Sequence, residues 1–490
     1  MKTRVLLLIA LVLFAVTPSW SQTISGTLGA ENKEFNAFEA SHATIVGFEG
    51  NTTYFVTHKY KPILTGAMRK NCMVTAVDDQ MNLLKSVEID GTDDDDVASA
   101  TMFEGKIYIL LRRETRKDLS FIRYVVDAQS MTTVGEPTTI FSYTSERKDD
   151  CYRWVEQSPN KSLTGIVHIV TNKKTGTLDG TEILLDEEMN VEWRKDYPIH
   201  AMSNMVVTDD GEIIIMGTSK HETQERSKIY ISILSAENTN DYSTTAELSV
   251  GNTQLVGLSG NKVLAIGAGT SIETKKEVKY FGLALNIVDG LFNISYKTLT
   301  SFEKAVFENI IPERKPKDPD IYNLMIMNCQ LTKFGGVGTI QQRWGITRCN
   351  QQGICSTTYY HQGTLMIGID NNGEILWHHP ILANYIEQET SQQMFNTITV
   401  IDNDTYFIQS EEPKWGESAE ITKSAKNFRL KNGSENLAVY RVDANGKISK
   451  HVVKFSVNKM LVCGLVSRDD EYIGLTCEPR KVAMLKLKFQ

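Results

Sequence analysis

Apolar and polar residues follow one another in short runs that turn residues separate. In runs such as 98–111, 205–216 and 255–266, alternating or apolar residues flank a central turn of Gly, Asp or Asn. This pattern is typical of β-strands, and no long window after residue 21 has a helical period. The pattern therefore predicts an all-β chain built from successive β-hairpins.

A second kind of turn repeats with the pattern apolar, Asp, two polar or small residues, Gly or Met, polar, apolar. Four copies align without gaps, at 77–83, 185–191, 369–375 and 442–448. A looser copy begins at Val126, and weaker copies lie near Ser235 and Asn286. Asp accepts hydrogen bonds from turn amides, and Gly supplies the positive φ that a tight hairpin requires. Each copy is therefore predicted to be a hairpin turn.

The spacing of these turns predicts a ring of repeated units. From Asp78 to Asp443 the copies recur about every 61 residues, which suits a four-stranded unit with generous loops. Hairpins of the first kind lie between them, so inner and outer hairpins alternate. We therefore predict a β-propeller of four-stranded blades.

The blade number depends on how the ring closes. Eight inner hairpins can be counted, but the last outer pair has a single strand, 482–488. N-terminal residues 23–28 could supply the missing strand, which gives eight blades. Seven blades is the alternative, because the segment 302–347 is irregular.

One repeat resembles blades of known propeller families. Asp370 to Trp377 has the Asp-x-x-Gly-x-Ile-x-Trp spacing of PQQ-repeat and related propellers, and Asp186 to Trp193 has the same spacing with Met189 in place of Gly. The order of segments is similar to that of uncharacterised secreted propeller-like proteins of Bacteroidota. This resemblance implies a propeller fold and export, and it implies no activity. PQQ-dependent dehydrogenases carry the Trp motif in most blades, so their function is rejected here and no cofactor is predicted.

The first 21 residues have the features of a secretory signal peptide. Lys2 and Arg4 precede the apolar run from Val5 to Val16, and small residues stand before Gln22 at the expected cleavage position. The remaining chain, 22–490, is predicted to be one propeller domain in the periplasm or outside the cell. No later stretch approaches 18 apolar residues, so no transmembrane segment is predicted in the mature chain.

The charge of the chain limits the classes of partner, and its cysteine content indicates what stabilises the fold. The chain has 52 Lys and Arg against 60 Asp and Glu, so nucleic acid is not an expected partner. Its seven Cys are an odd and low number, so a packed core rather than a disulfide framework must stabilise it. Cys349 and Cys355 could be bridged across a hairpin loop, although two independent thiols fit equally well. Cys463 and Cys477 are a weaker candidate pair for which buried thiols are the alternative.

Few residue patterns suggest chemistry. The acidic run Asp93–Asp96 could contribute to a calcium site, but a solvated acidic turn is favoured because the spacing of EF-hand ligands is not met. Trp193 and Trp377 occupy one repeat position, so blade packing is favoured over sugar stacking. His378 and His379 are adjacent and should face opposite sides of a strand, which argues against a shared metal and favours a surface strand end. No metal site is predicted.

The long irregular segments suggest where a ligand could bind. Connections between blades should leave the face opposite the Asp turns, and long loops on a rigid scaffold often carry function. We therefore expect ligand contacts around Asp93, Arg314 and Trp415. The sequence favours a secreted binding propeller for a protein, peptide or glycan. The alternative is a glycan-active hydrolase or lyase with carboxylates at the mouth of the channel.

Overall fold

Eight antiparallel sheets make up the described part of the chain. The structure is a computed structural model that describes residues 24–28, 43–63, 66–93, 95–115, 117–144, 151–171, 178–220, 226–274, 277–308, 324–349, 355–381, 385–388, 396–401, 403–411, 436–454, 462–468, 471–478 and 481–489. Six sheets have four strands and two have five. The predicted β-propeller with eight four-stranded blades is confirmed, and the seven-blade alternative is wrong.

The blades are numbered in chain order, and each is given from its inner strand outwards. Blades 1 to 4 are β2 (Thr44–Glu49), β3 (Thr52–Ile63), β4 (Gly66–Val77), β5 (Leu83–Ile89); β6 (Asp95–Phe103), β7 (Lys106–Glu114), β8 (Asp118–Asp127), β10 (Thr138–Thr144); β11 (Cys151–Gln157), β12 (Thr164–Thr171), β13 (Leu178–Leu185), β14 (Val191–Ile199); and β15 (Asn204–Val207), β16 (Ile213–Lys220), β17 (Ser227–Leu234), β18 (Thr239–Ala246). Blades 5 to 8 are β19 (Leu248–Ser259), β20 (Lys262–Ser271), β21 (Val278–Asn286), β22 (Leu291–Thr298); β23 (Leu324–Thr332), β24 (Gly335–Cys349), β25 (Cys355–Asp370), β26 (Ile375–Ile381); β28 (Asn396–Ile401), β29 (Asp404–Glu411), β30 (Asn436–Val442), β31 (Ile448–Lys454); and β32 (Val462–Arg468), β33 (Glu471–Glu478), β34 (Lys481–Phe489), β1 (Ile24–Leu28).

Three shorter elements complete the described structure. Strand β9 (Thr132–Thr133) pairs with β8, and β27 (Tyr385–Gln388) pairs with β25. Helix α1 (Ser301–Glu308) lies between blades 5 and 6. Within the described residues, no helix is long and apolar enough to cross a membrane.

The N-terminal strand closes the ring, as the sequence predicted. Strand β1 pairs antiparallel with β34, with Ile24 opposite Phe489 and Leu28 opposite Leu485. Each inner strand contacts the inner strands of both neighbouring blades, and β32 contacts β2. The last blade is therefore built from both ends of the chain, and no blade edge is left between blades 8 and 1.

The two faces of the ring carry different segments. Turns within the inner and outer hairpins lie on one face, here called the turn face. Links between blades, and between the second and third strands of blades 1 to 7, lie on the opposite face, here called the connection face. This follows from the antiparallel order of each sheet and agrees with the predicted position of the Asp turns.

The repeated Asp forms the turn as predicted. In blade 1, Asp78 Oδ1 accepts hydrogen bonds of 2.8 Å from the amides of Gln80 and Asn82. In blade 7, Asp443 accepts 2.9 Å bonds from the amides of Asn445 and Lys447. Hydrogen bonds from the Asn82 side chain and from the turn amides lower the pKa of Asp78. The Asp side chain therefore stabilises the outer hairpin turn by accepting hydrogen bonds from its backbone amides.

Met replaces Gly in some turns because its side chain fills the seam to the preceding blade. Gly373 and Gly446 have φ of 76° and 77°, while Met81 and Met189 have φ of 62° and 58° at the same repeat position. Met189 is fully buried among blade 2 and blade 3 residues, including Phe121. Burial of the side chain offsets the strain of the left-handed backbone.

At Met189, substitution by Gly should destabilise the protein less than substitution by Ala, which is the reverse of the usual order. Met189→Ala should lower the free energy of unfolding by about 2–4 kcal/mol through the lost burial. Met189→Gly should be less destabilising by about 1 kcal/mol, because Gly adopts positive φ without strain. Urea unfolding measures both. At the exposed Val191, where φ is not positive, Ala should be at least as stable as Gly, and the same order at Met189 would contradict the explanation.

Candidate functional site

Three residues of β11 form a column on the wall between blades 3 and 4. Tyr152, Trp154 and Glu156 alternate along the strand and therefore share one side. Trp154 packs against the hydrophobic cluster between blades 3 and 4. Arg153 and Gln157 contact blade 2 instead, through Glu114 and the Ala100 carbonyl. We call Tyr152, Trp154 and Glu156 the β11 column.

The connection-side end of the column is an exposed aromatic platform. The ring of Tyr152 stacks on that of Trp154, with centroids 6.0 Å apart and 28° between the planes. Tyr152 is 51% exposed, an unusual value for a large side chain on an inner strand. A partly buried Trp thus fixes a Tyr whose remaining surface faces solvent. Such stacked rings bind flat apolar or sugar surfaces at low entropic cost.

The exposure of Tyr152 has a cause in the neighbouring blade. Strand β11 has seven residues, whereas β15 has four. Before β15, the chain crosses Gly217 of β16, where an added Cβ would lie 2.2 Å from the carbonyl carbon of Ala201. Both inner strands end at the turn face, so β11 extends beyond β15 on the connection side. Tyr152 therefore has no inner strand of blade 4 to cover it.

Glu156 is the titratable group at the turn-side end of the β11 column. Its side chain is exposed, yet surrounding protein raises the pKa of Glu156 to about 6 by desolvation. Protein that replaces part of the water around a carboxyl disfavours its charged form and so raises its pKa. Desolvation is the sole cause of the shift. Among the described residues, Glu156 therefore stands apart from other charged groups.

Amide side chains bridge the edges of the inner strands around the channel. Asn204 Nδ2 donates to the Thr253 carbonyl at 3.2 Å. Asn252 Oδ1 accepts from the Ile326 amide at 3.1 Å, and Gln330 Nε2 donates to the Ile398 carbonyl at 3.0 Å. These bonds satisfy backbone groups that an edge strand leaves open. They join the inner strands of blades 4, 5, 6 and 7 through neutral side chains.

The described acidic residues at the start of blade 2, Asp93, Asp95 and Asp96, form ion pairs with Lys or Arg. Asp93 lies on the connection face, 3.6 Å from Lys70 Nζ. Arg113 binds both oxygens of the buried Asp95, at 2.8 and 2.9 Å. Arg112 lies 2.6 Å from Asp96. Over the residues that the structure describes, no group of three or more His, Cys, Asp or Glu could hold a metal ion.

Two predicted ligand-contact residues lie outside the described residues. Arg314 belongs to the link between α1 and β23, and Trp415 to the link between β29 and β30. Their ligand contacts stay a prediction.

The disulfide candidates also stay predictions. The register of β24 and β25 places Cys349 opposite Cys355, while Cys463 lies opposite Leu475 rather than Cys477. The side chains of these four Cys lie outside the described residues. Cys72 and Cys329 are free thiols, and burial raises the pKa of each to about 12, so both are inert at neutral pH.

A buried polar chain joins blades 5 and 6, and sequence analysis missed it. Tyr280 Oη lies 2.8 Å from His378 Nδ1, and His378 Nε2 lies 2.7 Å from Glu303 Oε1. His379 faces blade 7, where its Nε2 lies 2.8 Å from the Gly446 carbonyl. The prediction that the two His face opposite sides is confirmed, but the expected surface strand end at His378 is wrong, since it binds α1 to blade 5.

This polar chain is structural. Thr300 and Glu303 form a capping box at the start of α1, with the Thr300 amide 2.6 Å from Glu303 Oε2. Burial alone would raise the pKa of Glu303, but hydrogen bonds from His378 and Thr300 lower it below its ordinary value. Tyr280 is 1% exposed, so substrate cannot reach its hydroxyl. The chain therefore fastens α1 and is not a candidate active site.

Comparison with known proteins gives similarity of architecture without a family. No family model matches the sequence, and no curated protein matches it. The structure is similar to the Dos1 propeller, with a TM-score of 0.43 and 9% identity over 94% of each chain. It is also similar to the WD40 domain of SCAP from fission yeast, with a TM-score of 0.38 and 6% identity over 96% and 98% of the two chains. A polysaccharide lyase of family PL25, an ulvan lyase, has a TM-score of 0.38 and 9% identity over 94% and 95%.

Proposed function

We propose that this protein is a secreted binding propeller that holds a glycan, peptide or protein segment against Tyr152. The single observation that carries the proposal is the exposed Tyr152 ring, fixed on Trp154 at the connection side of the channel. A preorganised aromatic surface binds without first losing side-chain entropy.

The connection face supplies further contacts in this proposal. Asp93 lies on this face, and we propose that the segments around Arg314 and Trp415, which lie outside the described residues, add to it. They would contact the parts of a ligand that extend beyond the β11 column.

Export is the second part of the proposal. The basic residues Lys2 and Arg4 and the apolar run after them support a signal peptide. Cleavage before Gln22 would leave β1, which starts at Ile24, inside the mature chain. The closing strand of the propeller would thus be retained after export.

The proposal predicts that Tyr152→Ala abolishes most of the ligand affinity while the fold is kept. Screening the chain from Gln22 against oligosaccharides and peptides by thermal shift should identify a stabilising ligand. Titration calorimetry should then show at least about tenfold weaker binding for the variant. Val288→Ala removes an exposed apolar side chain on the turn face and is the control. Equal affinity of Tyr152→Ala and wild type would contradict the proposal.

A glycan-active enzyme is the second candidate, and Glu156 is the observation that favours it. The carboxyl of Glu156 has a pKa of about 6 and lies on the same side of β11 as Tyr152 and Trp154. It could therefore transfer a proton near neutral pH. Hydrolysis by the usual mechanism needs a second carboxylate within about 5–10 Å. Steady release of shortened or unsaturated chains by wild type, lost in Glu156→Gln, would establish the enzyme in place of the binding protein.

A further inference from the structure

The outer turn of each blade from 2 to 7 accepts a hydrogen bond from the blade before it. Lys85 Nζ of β5 donates to the carbonyl of Gln129, in the turn of blade 2, at 2.8 Å. His379 Nε2 of β26 lies 2.8 Å from the carbonyl of Gly446, in the turn of blade 7. The other four bonds to turn carbonyls run from Arg123 to Glu188, from Lys195 to Asn238, from Tyr242 to Ile287 and from Asn293 to Asn372. One kind of bond thus crosses every seam, or interface between neighbouring blades, from 1/2 to 6/7.

The seam between blades 8 and 1 has ion pairs at the corresponding turn. Lys486 Nζ and Arg468 Nη1 of blade 8 each lie 2.9 Å from a carboxylate oxygen of Asp79, in the outer turn of blade 1. Two cations on one carboxylate tie the blades more firmly than an isolated surface pair would. Blade 8 is therefore fastened to blade 1.

The seam between blades 7 and 8 differs because blade 8 has no outer turn. Its third and fourth strands, β34 and β1, are not consecutive in the chain, and Phe489 lies opposite Ile24 where the other blades have their turn. Blade 7 therefore has no turn carbonyl to bind there. The outer part of this seam is formed instead by the five residues of β1, which contact β31.

Apolar packing does not compensate for the missing bond. Among the described residues, the clusters at seams 6/7 and 7/8 each contain eight buried hydrophobic residues. Seam 6/7 is closed further by Trp377, since a Cβ added at Gly446 would lie 2.9 Å from Trp377 Cδ1. Trp377 thus packs between blades, as the sequence predicted. With similar apolar burial and one fewer bond, seam 7/8 is the weaker of the two.

We propose that the ring opens between blades 7 and 8 while each blade keeps its own sheet. Blade 8 moves with blade 1, because the ion pairs of Asp79 hold these two blades together. The opening exposes the cluster that includes Val439 and Leu485. The fold thereby has one fixed opening point beside the channel.

Two neighbouring residues of β30 report on the two seams of blade 7. Ala438 packs against blade 6 and Val439 against blade 8, and both are completely buried. Ala438→Cys and Val439→Cys, made separately, allow native-state thiol labelling, with the labelled peptide identified by mass spectrometry. After division by the rates of the urea-unfolded chains, Val439→Cys should react at least about fivefold faster than Ala438→Cys. Any strain from the larger Cys side chain in place of Ala438 would speed its labelling and work against this order.

The urea dependence separates opening of a seam from unfolding of the protein. Opening exposes little surface, so the labelling rate of Val439→Cys should rise with urea less steeply than global unfolding does. If either variant does not fold, Val442→Cys reports on the blade 6 side and Val453→Cys on the blade 8 side.

His379→Phe tests whether the turn bond is what holds a seam closed. It removes the donor of seam 6/7 and keeps a ring beside Trp377. It should raise the labelling rate of Ala438→Cys about fivefold and leave that of Val439→Cys unchanged. Equal labelling of the two Cys variants, labelling of Val439→Cys with the urea dependence of global unfolding, or no effect of His379→Phe on Ala438→Cys would each overturn the proposal.

Discussion

Glu182→Gln is expected to stabilise the protein by roughly 4–5 kcal/mol at pH 8 and by little at pH 4.5. Glu182 lies on β13 and is completely buried, and neither of its carboxyl oxygens has a hydrogen-bond partner. Burial raises the pKa of Glu182 to about 8, with Asp196 adding to the shift and Lys195 opposing it. The native protein therefore keeps this side chain as a neutral acid at pH 7.

The sign of the pH dependence follows from proton binding. Between about pH 4.5 and pH 8, folded Glu182 holds a proton that the unfolded chain has released. The stability that this proton confers is present below pH 4.5 and is lost as the pH rises to 8. Gln has no proton to lose, so the difference between variant and wild type isolates Glu182.

His168 changes the stability with pH in the opposite direction to Glu182, so the two contributions must be separated. Burial lowers the pKa of His168 to about 4, with Arg153 contributing. Its stability contribution is present above about pH 6.5 and is lost as the pH falls through 4. The two effects nearly cancel between pH 4.5 and 6.5, so wild type should lose about 2 kcal/mol between pH 6.5 and 8.

Urea unfolding at half-unit steps from pH 4 to 9 measures the difference. Glu192→Gln, an exposed control on β14, tests for a general effect of removing one negative charge. A pH-independent difference between Glu182→Gln and wild type would show that Glu182 is ionised in the native state.

The outer turns were predictable because their cause is local. Asp370 in its own turn accepts the amides of Asn372 and Glu374, so residue type alone specifies the geometry. The closing strand was also predictable, since an unpaired last strand requires a partner in a ring. These local and topological constraints define the fold without any knowledge of side-chain packing.

The β11 column was not predictable, because its exposure depends on a different blade. The order Tyr-Arg-Trp-Val-Glu is that of an ordinary strand with alternating faces. Only the short β15 leaves Tyr152 uncovered. Glu182 is a similar case, because the middle strands of a blade are buried on both faces and alternation no longer separates core from solvent. Helix α1 was missed although Thr300 and Glu303 have the spacing of a capping box.

Ile24→Asp is expected to open the ring, lowering the free energy of unfolding of the chain from Gln22 by at least about 3 kcal/mol. Ile24 is 5% exposed and packs against a cluster that includes Tyr406 and Leu485, which belong to blades 7 and 8. A carboxylate there would be buried without a partner, so β1 should detach from β34. Blade 8 would then have three strands and an unpaired outer edge.

The neighbouring residue supplies the control for this closure. Ser25 is exposed on the same strand, so Ser25→Asp adds the same charge at the surface and should change the stability by less than about 0.5 kcal/mol. Removal of residues 22–28 should reproduce Ile24→Asp and should make β34 the first strand to exchange its amide hydrogens. If Ile24→Asp and Ser25→Asp unfold at the same urea concentration, β1 does not close the propeller in solution, and the eighth blade has three strands.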